Sequence, residues 1–420
     1  MKKVLYTAAH SGFNLRQVPL GGGASVCEHL REEWRRQKPF EFEVLGPALL
    51  NKFAPLHKDL VQYSELEYAR FCLQFEKHLT ASILKSDPKD VVILSNDVSE
   101  GPDFKMLAAK GYSVYTIYHV DVVDYFTTIY LRAALKPETT TAIYRGITRL
   151  GLTGAIPNVL KLIWEKQEAS VRHSKGLIVP SQRMKEVLLR CYPELEPSRV
   201  HVLPWGVWED RVNAQEIESE KQALLKEFPM ESGAPTLLML SRVSPEKGQD
   251  RLLKALALWE EGRDFPKEGI SLLIAGEPAY MLGQRFERKL KNLTSKLKRS
   301  RVHFVGYAAG ARKKALFELA DLYVFPSRHE SYGLTLLEAL REGKPVLATA
   351  SYGAEEVFKV EFGELVPNSS ERDIAKLLMS ALTRLLLDRG KLKRMGKAAA
   401  TWSRNQDFSV TAATLAGLLR

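Results

Sequence analysis

Residues 325–349 read Phe-Pro-Ser-Arg-His-Glu-Ser-Tyr-Gly-Leu-Thr-Leu-Leu-Glu-Ala-Leu-Arg-Glu-Gly-Lys-Pro-Val-Leu-Ala-Thr. An apolar strand ends at Phe325, a turn follows, and Tyr332-Gly333-Leu334 opens a helix that Gly343 closes before a strand from Pro345 to Ala348. Strand, helix start and strand form a unit suited to an anion, because the first turn of a helix offers free N–H groups at the positive end of its dipole. Two glutamates bracket the turn, Glu330 just before the helix and Glu338 on it, eight residues later. Carboxylates accept hydrogen bonds from hydroxyls, so one can meet a sugar and the other a ribose.

This stretch resembles the Glu-x7-Glu motif of the retaining glycosyltransferases with the GT-B fold, specifically the large family numbered four. The similarity continues through Gly343-Lys344-Pro345-Val346 to Gly353 and Glu356. It implies an α/β protein of two Rossmann-like domains, each a doubly wound parallel sheet, facing a central cleft. It also implies a nucleoside-diphosphate sugar as donor, held by Ser331, Tyr332, Gly333 and Leu334, with Glu330 near the transferred sugar and Glu338 at the ribose hydroxyls.

Length and composition agree with that architecture. A chain of 420 residues exceeds what one core usually holds, so two domains of roughly 200 residues are expected. Cys27, Cys72 and Cys191 are scattered without metal-ligand spacing, which suits core positions in a reducing compartment and a cytoplasmic protein. No apolar run is long enough for a membrane span, and Met1-Lys2-Lys3-Val4-Leu5-Tyr6 reads as a first strand rather than a leader. Lys and Arg number 61 against 50 Asp and Glu, and the resulting net charge of +11 favours anionic partners: nucleotide sugars, acidic lipid surfaces or nucleic acid. Arg31, Trp34, Arg35, Arg36 and Lys38 gather cations around one aromatic in the first helix, the pattern a peripheral enzyme would use at an anionic membrane.

Along the first half, short apolar strands alternate with helical stretches, as in a doubly wound sheet. The spacing predicts strands at 4–8, 42–45, 91–95, 113–118, 176–179 and 200–203, and helices at 124–135 and 156–172 among others. Gly21-Gly22-Gly23 precedes the first helical run, where glycines let backbone N–H groups approach a phosphate closely. His119 follows a buried strand and falls at its C-terminal end, where open α/β sheets place ligands. The resemblance implies a glycine loop facing the donor diphosphate across the cleft, and a histidine near the transferred sugar.

Leu203-Pro204-Trp205-Gly206 is similar to the family's crossover between domains, although Trp205 stands where Asn is usual. The predicted division is therefore 1–205 for the acceptor-binding domain and 206–402 for the donor-binding domain, with 403–420 crossing back to the first.

In the second half strands are predicted at 236–240, 270–275, 302–305, 322–325, 345–348 and 364–366. Arg242 leaves the end of the first of these and Lys247 sits at the next helix start, so both can converge on one diphosphate. Their string, Ser-Arg-Val-Ser-Pro-Glu-Lys-Gly, resembles the family's diphosphate clamp. Gly276 and Gly306 mark two further strand ends at the same sheet edge, where the resemblance implies that backbone holds the base. Between them, residues 285–301 carry eight cations, read as a solvated helix face.

The implied reaction is transfer of a sugar to a hydroxyl acceptor of unspecified type by front-face attack. Arg242, Lys247 and His119 would be its main side chains, and the leaving phosphate itself would take the acceptor proton. The chain contains no Asp-x-Asp string, so no metal bridging the diphosphate is expected and no cofactor beyond the donor. Two other readings remain: a same-fold sugar-nucleotide epimerase or disaccharide phosphorylase, and a basic nucleic-acid-binding protein acting through 285–301. The absence of any RRM, helix-turn-helix or zinc motif weighs against nucleic acid as a partner.

Overall fold

The computed structural model describes residues 2–11, 21–53, 63–156, 158–278 and 283–420. The apolar runs of the first half become β1 (Lys3–Thr7), β2 (Phe42–Leu45), β3 (Val91–Ser95), β4 (Ser113–Ile117), β5 (Gly176–Val179) and β6 (Val200–Val202). They form one parallel sheet in the order β2-β1-β3-β4-β5-β6. The second half gives β7 (Thr236–Leu240), β8 (Ile270–Ala275), β9 (Ser300–Gly306), β10 (Leu322–Phe325), β11 (Val346–Thr349) and β12 (Gly363–Val366), all parallel in the order β12-β11-β10-β7-β8-β9. Strands β3, β5, β8, β10 and β11 are buried along their whole length, as expected where helices cover both faces of a parallel sheet.

Each sheet reverses its winding once, between β1 and β3 in the first and between β7 and β10 in the second. Loops leaving the C-terminal ends of those paired strands diverge to opposite faces and open a crevice, which is where ligands bind in such sheets. Beside the second switch point the β8–β9 register shifts between Ile274 and Ala275, so that Ala275 pairs with Gly306. A bulge of this kind bends the strand and re-aims the residues that follow it.

The chain divides into two units, Met1–Trp205 with Phe408–Arg420, and Gly206–Asp407. Residues 403–407 stay with the second unit instead of the returning helix, because Ser403 ends the helix Arg389–Ser403 and its hydroxyl donates to Leu340 O at 3.3 Å. Only the helix Phe408–Leu419 belongs to the first unit, where it packs on the helix Gly22–Gln37. Trp34 of that helix is wholly buried between Phe40 and Phe42, and its Nε1 donates to Ala412 O at 3.0 Å. This overturns its expected use as a membrane anchor: Trp34 is the bolt that fastens the last helix. The neighbouring Arg31 is also engaged, pairing with Glu28 at 2.6 Å.

Two predicted helices are shorter in the structure. The helix Val122–Ile129 stops before Arg132 and Ala133, whose φ angles of 53° and 55° leave the right-handed helical region. The basic stretch is a helix only over Gly283–Thr294, since Glu260 captures the amides of Lys298 and Ser300, both at 2.7 Å, and steers the chain into β9. Several of its cations are engaged: Lys289 pairs with Asp250 at 2.7 Å, Lys291 with Glu287 at 3.0 Å, and Arg299 lies over the Phe265 ring at 4.5 Å.

Candidate active site

At the second switch point, the loop leaving β7 carries Arg242 and Lys247 and the loop leaving β10 carries Glu330. The two loops are locked together through backbone. Arg328 N–H donates to Glu246 O at 2.7 Å, and the Arg328 guanidinium reaches Pro245 O at 2.6 Å. Gly248 has a φ of 71°, and a Cβ there would stand 2.0 Å from Pro326 O, so only glycine permits the approach. The short helix Tyr352–Val357 after β11 closes from the other side: Gly353 N–H donates to Glu330 O at 3.0 Å, and a Cβ on Gly353 would fall 2.1 Å from the Tyr332 carbonyl carbon.

Within this frame Lys247 Nζ lies 2.5 Å from Glu330 Oε2, and each side chain is only 15% exposed. Arg242 pairs with Glu246 at 3.4 Å, and Glu246 also accepts from the Ser244 hydroxyl at 2.6 Å. Burial raises the Glu246 carboxyl, but Arg242, Lys247 and Ser244 outweigh that effect and hold it below the usual carboxylate range. The clamp predicted from two cations is thus a four-charge arrangement in which each cation already has an acidic neighbour. Glu246 is visible in the Ser-Pro-Glu-Lys-Gly string, but its burial depends on the loop from β10 folding over it.

Ser331 and Tyr332 are buried, and Gly333, at a φ of 82°, is the N-cap of the helix Leu334–Arg341. No side chain caps this helix start, so its first-turn amides keep donors for an anion. Arg328 continues into a partly buried network, meeting the buried Asp250 at 2.8 Å and the half-exposed Glu371 at 2.9 Å, while Arg251 meets Glu371 at 2.7 Å. Burial raises the Asp250 carboxyl, and Arg328 and Lys289 reverse this to bring it down to about 2. The network braces the β10 loop from behind.

Gly276 and Gly306 meet directly, with Gly276 N–H donating to Gly306 O at 2.7 Å. At Gly276 the φ is 137° and a Cβ would lie 1.9 Å from Ser241 O, so this turn abuts the start of the Arg242 loop. Glu338, on the helix Leu334–Arg341, accepts from Lys313 Nζ at 3.0 Å, and the same nitrogen meets Asp210 at 2.8 Å. Glu338 lies on the helix as its sequence position predicts, and its partner Lys313 and the neighbouring Asp210 come from segments distant in the chain.

The first unit holds the remaining predicted residues. Gly21, with a φ of 90°, caps the helix Gly22–Gln37, and a Cβ on Gly23 would come within 3.1 Å of the His119 ring. Glycine start and histidine are therefore neighbours. Residues 12–20, which lead into this turn, lie outside the described residues. His119 Nε2 is 3.2 Å from Asn96 Oδ1, an oxygen that also accepts from the Tyr6 hydroxyl, while Asn96 Nδ2 donates to Gly23 O at 3.3 Å. Because Asn96 Oδ1 is an acceptor, Nε2 carries the hydrogen and Nδ1 keeps its lone pair. Burial pushes the imidazole down to about 4, with Glu100 opposing and His10 adding to the effect, so His119 is neutral at pH 7. Trp205 stacks on His119 with centroids 5.7 Å apart and on Phe408 at 6.5 Å, filling the core of this edge instead of reaching solvent. Asn96 was missed in the sequence; its signal is a polar residue immediately after the buried strand β3 at the switch point.

Comparison with known proteins bears on the second unit first. Residues 220–402 match the model of the family Glycosyl transferases group 1. The match lies within the second unit. The chain is 30% identical over 193 residues to the lipopolysaccharide glucosyltransferase WaaG of Escherichia coli, an alignment covering 45% of this chain and 48% of that one. It is 33% identical over 229 residues to a GDP-mannose-dependent alpha-(1-6)-phosphatidylinositol monomannoside mannosyltransferase of Mycobacterium tuberculosis, covering 52% and 55%. The chain thus spans about half the length of the curated relatives it matches. At the level of fold, it superposes on the crystal structure of Anabaena Alr3699/HepE in complex with UDP and glucose with a TM-score of 0.64 at 17% identity, covering 100% of this chain and 99% of that one. The architecture is accordingly GT-B, two parallel six-stranded sheets with flanking helices.

Among the described residues no three His, Cys, Asp or Glu side chains gather as a metal site. No helix among them is long and apolar enough to cross a membrane.

Proposed function

We propose that this protein is a retaining glycosyltransferase that moves a sugar from a nucleoside-diphosphate sugar to a hydroxyl acceptor. The observation that carries the reading is the meeting of Arg242, Lys247 and Glu330 beside an uncapped helix start at one sheet switch point. As the glycosidic bond breaks, the departing diphosphate gains negative charge, and donors fixed in place stabilise it more than they stabilise the bound donor. Arg242, Lys247 and the first-turn amides after Gly333 supply those donors. The Lys247 ammonium has three hydrogens, so it can keep Glu330 and still turn one toward a phosphate oxygen. Glu330 in turn accepts from a hydroxyl of the transferred sugar, and Glu338 from the ribose.

His119, neutral and with Nδ1 open as an acceptor, suits a sugar hydroxyl better than a phosphate. In this reading attack comes from the face that the diphosphate leaves, and a phosphate oxygen takes the acceptor proton. No protein nucleophile is required. The relatives named above act, by their names, on lipopolysaccharide and on a phosphatidylinositol mannoside, which supports a glycan or lipid hydroxyl as acceptor here.

A thermal-shift screen of UDP, GDP, ADP and TDP tests the donor reading and selects the base, since a ligand at about 100 times its Kd adds roughly 2.7 kcal/mol of apparent stability. No shift with any of the four would defeat it. Turnover of the matching nucleotide sugar only when an acceptor is added separates transfer from epimerisation, and the anomeric configuration of the product decides retention.

A further inference from the structure

Glu338 does not stand alone on its helix. One carboxylate oxygen, Oε1, is held by Lys313 Nζ at 3.0 Å, and no other described group bonds the side chain. Lys313 comes from the helix Gly310–Leu319, which follows β9, and reaches Asp210 at 2.8 Å with the same nitrogen. Lys313 and Glu338 are only 14% and 13% exposed, and Asp210 is 23% exposed. The segment bearing Asp210 is itself tied down, since Glu209 pairs with Arg341 from the same helix as Glu338. The lysine is thus bracketed by two carboxylates from separate parts of the second unit.

An arrangement of this kind has a directional consequence. A glutamate side chain has three rotatable bonds, and a carboxylate with no fixed partner samples many orientations. Anchoring Oε1 leaves Oε2 as the oxygen free to accept from a ligand, in a set direction. Without the cation, Asp210 and Glu338 would be two like charges sharing one partly buried space, and they would turn away from each other. We propose that Lys313 is a positioning residue: with Asp210 it aims Glu338 at the ribose hydroxyls, and the ion pair thereby sets the preference for ribonucleoside over 2′-deoxyribonucleoside diphosphates. The inference rests on the reading of Glu338 as the ribose contact and adds the group that makes the contact selective.

Calorimetry of UDP, GDP and ADP against their 2′-deoxy counterparts tests it on the full chain. Wild type should bind the ribonucleotide of its preferred base at least tenfold more tightly than the deoxy form, and Glu338→Ala should erase that ratio. Lys313→Met should lower the ratio to below threefold while leaving affinity for the deoxy form within twofold of wild type. A lysine that merely supported the fold would weaken both forms together. Asp210→Asn keeps the lysine and removes one anchor, and an intermediate ratio is expected; this variant also carries the test if Lys313→Met does not fold. A wild-type ratio near one, or a wild-type ratio untouched by Glu338→Ala, overturns the ribose reading and this inference with it. A ratio that Glu338→Ala erases but both Lys313→Met and Asp210→Asn preserve overturns the positioning role alone.

Discussion

Arg242 and Lys247 are each compensated by a nearby carboxylate, and this decides how their loss should be felt. Removing either takes away a charge-assisted donor to the developing anion and also leaves an acid, Glu246 or Glu330, without its cation at the same spot. Arg242→Ala and Lys247→Ala should each lower turnover by at least tenfold, with Lys247→Ala the more severe because Glu330 then repels the diphosphate. Steady-state kinetics check this; rates equal to wild type in both variants would count against the clamp. His119 makes a second residue-scale prediction. Its pKa is about 4 in the folded chain against an ordinary 6.5, so between those values the unfolded chain binds more protons. The stabilisation linked to neutral His119 is therefore complete above pH 6.5 and lost as the pH falls toward 4, to a limit of ~3 kcal/mol. Urea denaturation at pH 7 and pH 4.5 should show a smaller difference for His119→Gln than for wild type.

Among the elements, the loops at the second switch point are held by close backbone contacts, and their glycines differ in what they face. Gly248 would push a Cβ into Pro326 O, whereas Gly306, with a φ of 77°, has nothing within 4 Å of where its Cβ would be. Gly248→Ala must move the β10 loop, which carries Glu330, and should cost about 2–4 kcal/mol of stability and weaken nucleotide binding. Gly306→Ala meets only the left-handed penalty of about 1–2 kcal/mol. Chemical denaturation of the pair checks the contrast, and equal losses would show that backbone conformation and not the contact with Pro326 dominates. The positions of the wholly buried strands were readable in advance because such strands are continuous apolar runs, whereas β9, mostly half-buried, runs over 300–306 instead of the predicted 302–305. The early stop at Ile129 was not, since it depends on Arg132 and Ala133 adopting positive φ, which neither residue type announces.

At the level of the whole molecule, the surplus of cations and the missing Asp-x-Asp string make one prediction: turnover should survive excess EDTA, because cationic side chains take the place a divalent ion would have at the diphosphate. Loss of activity that Mg²⁺ or Mn²⁺ restores would refute it. Of the net charge of +11, the helix Gly283–Thr294 carries a solvated basic face, with Arg285, Arg288, Lys289 and Lys291 exposed and part of the charge offset by Asp250 and Glu287. In the 31–38 cluster the single aromatic, Trp34, is spent on binding the last helix, and Arg35, Arg36 and Lys38 stay exposed.

By itself, the sequence determined what is local or periodic. Strand positions, the helix start after Gly333, and the placing of Arg242, Lys247, Glu330 and His119 at strand ends all follow from apolar runs punctuated by glycine and proline, which act over a few residues. What only tertiary structure decided is which charges meet. Lys247 and Glu330 are 83 residues apart, Lys313 and Asp210 lie on separate segments, and Asn96 joins His119 through the neighbouring strand. Strand order makes these neighbours, and strand order is set by how helices cover both faces of a sheet, a property of the packed whole that no short stretch encodes.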